Sequence, residues 1–155
     1  MRAHTYLTTA VLTCCLCSPS QAASLSLGAG AVGVFNSEAN LALQIGYNAN
    51  PMPKWWGIEP IANLLLAEKS THYLSAGLQK SFVVNQDWGW GVSAEAGYYH
   101  TNDAEQDLGY DTIFKTRIFV DYGQFRLALS HLSNADLGDH NPGSETVILS
   151  WKIPL

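Results

Sequence analysis

His131 and Ser133 stand two residues apart in "RLALSHLSNADLGDHNPGSETVILSWKIPL", and Glu145 follows fourteen residues after the histidine. Together these types can do hydrolytic chemistry. A serine hydroxyl is a poor nucleophile until a base takes its proton, an imidazole titrates near neutrality, and a carboxylate fixes the ring tautomer and stabilises its cation. Their surroundings are unusual. Read in steps of two, Leu127, Leu129, His131 and Ser133 form one face of an extended segment, and Glu145 opens the face continued by Val147, Leu149, Trp151 and Ile153. Proton-bearing groups thus continue stripes that alternation assigns to lipid or core. Each has a plainer reading too: a strand-end histidine, turn residues in Ser133-Asn134 and Asn141-Pro142-Gly143-Ser144, and a glutamate that keeps a strand edge soluble.

The segments that must position these residues alternate almost throughout. Runs at 24–36, 41–47, 58–67, 74–79, 88–99, 110–121, 124–130 and 145–153 carry bulky apolar residues on one face and Gly, Ser, Gln or charged residues on the other. The run at 88–99 is the clearest, with Trp88, Trp90, Val92, Ala94, Ala96 and Tyr98 opposite Gly89, Gly91, Ser93, Glu95, Gly97 and Tyr99. No segment sustains a helical period. Eight strands of this length predict an all-β fold, an eight-stranded antiparallel transmembrane β-barrel, narrow enough that side chains fill its inside. Glu95, Lys115, Arg117 and Arg126 fall on inner faces, where charges can pair. Trp55, Trp56, Trp88, Trp90 and Trp151 fall near strand ends, as interfacial aromatics do.

Composition supports the membrane version over a soluble barrel with its bulky face inward. Charged residues make up 14 % and aromatics 11 %, yet no long apolar run follows the N-terminus. Residues 1–22 have the layout of a secretory signal peptide: Arg2, an apolar run from Thr5 to Leu16, then Ser20-Gln21-Ala22 before cleavage. A lipoprotein reading through Cys15 or Cys17 lacks a convincing lipobox. All three cysteines lie in this segment, so the expected mature domain, 23–155, has no disulfide, thiol nucleophile or thiolate metal site. Its 7 basic and 13 acidic residues form no basic patch, which argues against a nucleic-acid partner.

With both ends of the barrel periplasmic, the connections near 36–40, 68–71, 101–109 and 134–144 face outward, and 48–55 is a long periplasmic turn. His131 and Ser133 then lie near the outer end of the seventh strand, and Glu145 opens the neighbouring eighth. Adjacent antiparallel strands bring cross-strand side chains to about 4.5–5.5 Å, so the three types can meet. An ionisable group near the interface costs only about 0–1 kcal/mol, which makes this end tolerable for them.

The segment "HLSNADLGDHNPGSE" resembles the signature of outer-membrane lipid A 3-O-deacylases of the PagL type. That signature is His-x-Ser-Asn-Ala followed by Asn-x-Gly-x-Glu. His131, Ser133, Asn134, Ala135, Asn141, Gly143 and Glu145 match it, and "WKIPL" is similar to the family's ending. The resemblance implies Ser133 as nucleophile, His131 as general base, Glu145 as the residue orienting His131, and Asn134 with nearby backbone N–H groups as support for the oxyanion. It implies hydrolysis of the 3-O-linked acyl ester of lipid A in lipopolysaccharide, with a 3-hydroxy fatty acid released and no cofactor or metal. The protein would then be embedded in the bacterial outer membrane, with homodimerisation left open. Two residues depart from the pattern: Asp136 stands where a glycine is expected, and His140 adds a second loop imidazole. Asp103, Glu105, Asp107, Asp136 and Asp139 make the outer loops acidic, either as a solvated surface or as partners for divalent cations. A non-enzymatic barrel for anchoring or surface binding, and a lipid A acyltransferase, are the alternatives.

Overall fold

Alternation becomes eight strands in the computed structural model, which describes residues 22–155. The signal peptide expected over 1–22 lies outside the described residues except for Ala22. The strands are β1 (Ser24–Val32), β2 (Asn40–Asn48), β3 (Glu59–Ala67), β4 (His72–Val83), β5 (Trp88–His100), β6 (Thr112–Tyr122), β7 (Phe125–Ser133) and β8 (Ser144–Pro154). Each pairs antiparallel with its sequence neighbour, and β8 returns to β1, so the sheet closes into a barrel without a free edge. β1 ends before the expected boundary because Gly33 turns with φ +72°, where any Cβ would sit 2.2 Å from Gln106 Nε2. Its N–H still reaches β8, donating to the Glu145 carbonyl at 2.8 Å. The turn after β2 carries a single 3-10 turn, Pro53–Trp55.

The closed barrel decides which face is inside. Leu27, Leu43, Leu74, Ile118, Leu127 and Leu149 are exposed, while Gln44, Asn63, Gln79, Glu95, Lys115, Arg117 and Arg126 are buried. A soluble barrel would have the reverse. Only a hydrocarbon solvent makes an apolar exterior around a polar interior favourable, so the strands are transmembrane. At the end that carries the chain termini, the outer face bears aromatic pairs, Phe82 with Trp90 at 4.4 Å and Trp88 with Tyr122 at 4.9 Å between ring centroids. Such rings suit the boundary between hydrocarbon and water.

Inside, two clusters of charges pair, which offsets the cost of burying them. Glu95 forms an ion pair with Lys115 at 3.0 Å and accepts hydrogen bonds from Arg117, Ser75 and Asn63. Lower down, Arg126 holds Asp121 through Nε at 2.7 Å and Nη2 at 2.9 Å, gives a third bond to Gln79, and packs over the Phe119 ring. Lys152 adds a bond to Asp121 at 2.9 Å. Removing Glu95 would leave Lys115 and Arg117 buried together without a counter-charge. Glu95→Ala is therefore expected to destabilise the folded barrel by about 3–5 kcal/mol. Urea titration in detergent, read by the folded band's altered gel migration, measures this. A change below about 1 kcal/mol would show that the pairing does not hold the interior.

The outer end is sealed differently. Val32, Ala42, Leu65, Tyr73, Tyr99, Ile113, Leu132 and Ile148 form an apolar cluster with Leu108 from the loop at 101–111. Gln106 enters beside it, fully buried; its backbone carbonyl accepts from Tyr99 Oη and its side-chain oxygen from Ser144 Oγ at 3.0 Å. Asp103 is held by Asn40 at 2.7 Å and Lys69 at 3.2 Å, which together keep its carboxyl below the ordinary carboxylate range. This loop therefore stoppers the barrel and, through Ser144, props the first residue of β8.

Candidate active site

β7 delivers His131 and Ser133 to the outer surface because side chains two apart share a strand face. Its partners set the rest. His131 lies directly between Thr116 on β6 and Glu145 on β8, while Ser133 lies beside Phe114. The His131 Nδ1 to Glu145 Oε1 distance is 3.0 Å, with the His131 side chain 51 % exposed and Glu145 27 %. A carboxylate on Nδ1 selects the tautomer protonated there and leaves the Nε2 lone pair free to take a proton. Gly143 makes room for this ring. Its φ is +70°, and a Cβ would fall 2.8 Å from His131 Cε1. No larger residue fits there without displacing the imidazole.

Ser133 Oγ faces the loop rather than the ring. Asn141 Nδ2 donates to it at 2.9 Å, the Ala135 N–H donates to it at 3.1 Å, and its hydroxyl donates to Asn141 Oδ1 at 3.1 Å. Catalytic hydrogen bonds are often unformed without substrate and tighten on binding.

Asn134 is where the expectation and the geometry part in detail. Its side chain is fully buried, and Nδ2 donates to the Leu108 carbonyl at 2.8 Å and the His140 carbonyl at 2.7 Å. Its Oδ1 accepts the Asp136 N–H at 2.8 Å, and its own N–H donates to Asn141 Oδ1 at 3.1 Å. Every polar group of Asn134 named here works within the loops, tying 134–143 to the barrel's stopper. The amide next to the Ser133 hydroxyl belongs to Asn141, to which the sequence reading gave no role. Its signal was present, since Asn141 is part of the quoted motif, but Asn-Pro-Gly also reads as a plain turn.

His140 stands apart from His131, Ser133 and Glu145. Its ring packs on Gly109, and it lines a cavity of about 710 Å³ in the outer loops with Tyr110, Asp107, Asp111 and Asp139. Among the described residues, no three His, Asp or Glu side chains converge to hold a metal ion. A second cavity, about 440 Å³, opens on the lipid-facing surface beneath His131 and Glu145, with Val92, Thr116, Ile118 and Leu129 along it.

Comparison with known proteins agrees with this fold. Residues 37–154 match the family model described as lipid A 3-O-deacylase (PagL). A crystal structure of the outer membrane enzyme PagL is similar in fold, with TM-score 0.66, 21 % identity, 85 % of this chain covered and 99 % of that one. A de novo designed transmembrane β-barrel also matches, with TM-score 0.55, 14 % identity, and coverage of 84 % and 95 %. No curated protein sequence matches the chain.

Proposed function

The chain belongs to the lipid A 3-O-deacylase (PagL) family of the bacterial outer membrane, and from that premise we propose that Ser133, His131 and Glu145 perform the deacylation as a serine-esterase triad. The observation that carries this reading is the 3.0 Å pair between His131 and Glu145, beside Ser133, on a surface facing lipid. The ester bond of a lipid A molecule in the outer leaflet reaches such a site by lateral diffusion, without entering the barrel.

The steps follow from the positions. Ser133 Oγ attacks the acyl carbonyl at the 3-position and passes its proton to His131 Nε2, while Glu145 holds Nδ1 and stabilises the imidazolium. Negative charge gathers on the former carbonyl oxygen. Asn141 Nδ2, already within 2.9 Å of Oγ, is the side-chain donor placed to meet it. Asn134 contributes through the turn it builds and through its N–H, which orients the Asn141 amide. The tetrahedral intermediate expels the sugar 3-oxygen, which takes the proton from His131. Water, deprotonated by His131, then releases the 3-hydroxy fatty acid and restores Ser133. The released chain has a resting surface in the apolar furrow of Val92, Ile118 and Leu129. All three triad residues come from one chain, so the mechanism draws on no second copy.

Mass spectrometry of lipid A from cells with and without the protein tests the reading. Loss of one 3-hydroxyacyl unit, with the free fatty acid recovered, is the expected result. Transfer of the chain to another lipid would make the protein an acyltransferase. Unchanged lipid A, together with no release by the purified folded protein in detergent, would return it to the non-enzymatic barrels.

A further inference from the structure

Asn141 has a charged neighbour that the mechanism does not use. Ala135 and Asp136 both hold left-handed backbone, with φ 53° and 61°. Side chains other than glycine adopt this conformation at a cost, and such strain tends to persist where something depends on it. Here the bond from the Asp136 N–H to Asn134 Oδ1 fixes the turn, and the turn aims the Asp136 carboxylate back across the loop. Its Oδ1 accepts from Asn141 Nδ2 at 3.2 Å.

We propose that Asp136 is a positioning residue for the deacylation: by holding one hydrogen of the Asn141 amide, it keeps the other directed at the Ser133 oxygen. This rests on the triad reading given above. The amide has one productive orientation. Its Oδ1 is fixed by the Asn134 N–H, and its Nδ2 has two hydrogens for two acceptors, Ser133 Oγ and Asp136 Oδ1. Without the carboxylate, one amide hydrogen loses its partner, and once the Ser133 hydroxyl has given up its proton only the Asn134 N–H holds Oδ1 against a flip toward the developing oxyanion. A charged acceptor also polarises the amide and strengthens its remaining N–H as a donor. The opposing effect is the carboxylate's own charge near the oxyanion. Asp136 is exposed, so water and salt screen that repulsion to no more than about fivefold, against the hundredfold or more typical of a lost oxyanion donor.

Steady-state kinetics of the full-length folded protein in detergent, with Ser133→Ala as the blank, separate these effects. Asp136→Gly suits the left-handed backbone, so the loop retains its fold. It is expected to lower kcat about tenfold with KM changed less than about twofold. Asp136→Asn keeps a side-chain carbonyl acceptor and is expected to recover most of that loss. In an Asn141→Ala background, Asp136→Gly should change kcat by less than about twofold, because its effect runs through the missing amide. The proposal is overturned if Asp136→Gly is as active as the parent, if its loss is the same with and without Asn141, or if Asp136→Asn is as impaired as the glycine variant. Failure of the triad reading looks different: the Ser133→Ala blank would release fatty acid at the parent's rate, and Asp136 would lose its role with it.

Discussion

Ser133→Ala is expected to reduce release of the 3-hydroxy fatty acid by about 10⁴-fold or more while leaving a folded barrel. The loss is large because the nucleophile, base and orienting carboxylate act as one unit; without the hydroxyl, His131 and Glu145 have no proton to move to advantage. The barrel survives because Ser133 lies at the end of β7, outside the interior, and its hydroxyl bonds are to the Asn141 amide and the Ala135 N–H. Losing them costs about 1 kcal/mol, small beside the closure of eight paired strands. Quantifying the fatty acid released by matched amounts of folded parent and variant checks this directly. A folded alanine variant within about tenfold of the parent would remove Ser133 from the chemistry.

Glu145→Gln is expected to lower kcat by about 10²–10³-fold with little change in KM. Glutamine keeps the side chain's size and place opposite His131, but its amide can donate to Nδ1 and so favour the imidazole protonated at Nε2, the wrong tautomer for a base. It also withdraws the charge that stabilises the imidazolium. The effect should fall below that of a fully buried triad carboxylate, since Glu145 is 27 % exposed and water shares its role. Separate kcat and KM values decide the matter, because a mere substrate-binding role would raise KM and spare kcat. A variant within a few fold of the parent in kcat would leave His131 acting without Glu145.

Much of the architecture was legible. Bulky and small residues alternate so regularly along 88–99 that β5 emerges as Trp88–His100 nearly as read. The faces were legible too: Leu127 and Leu129 are exposed, and His131 continues their stripe. Boundaries were less so. β1 stops at Val32 because Gly33 makes way for Gln106, a residue from a loop more than seventy positions away, and nothing local announces that encounter. The site divided in the same way. Ser133, His131 and Glu145 stood out as candidates because their chemistry is scarce on a lipid-facing stripe. Asn134 and Asn141 look alike in sequence, each in turn vocabulary, and only the fold separates the amide spent on the Leu108 and His140 carbonyls from the one placed against Ser133.

By itself the sequence determined which residues share a face, since a strand's period of two is a local property of the backbone. With export and low charge added, it also determined the kind of solvent that could surround such faces. Tertiary structure decided what no local pattern carries. It set His131 opposite Glu145 rather than one residue to either side, where the carboxylate would point into the barrel. It also brought the 134–143 loop over the stopper formed by 101–111, so that Asn134 became buried and Asn141 came to face Ser133. Register and loop packing are collective: each depends on the closure of the whole barrel, and only there do residues far apart in the chain acquire neighbours.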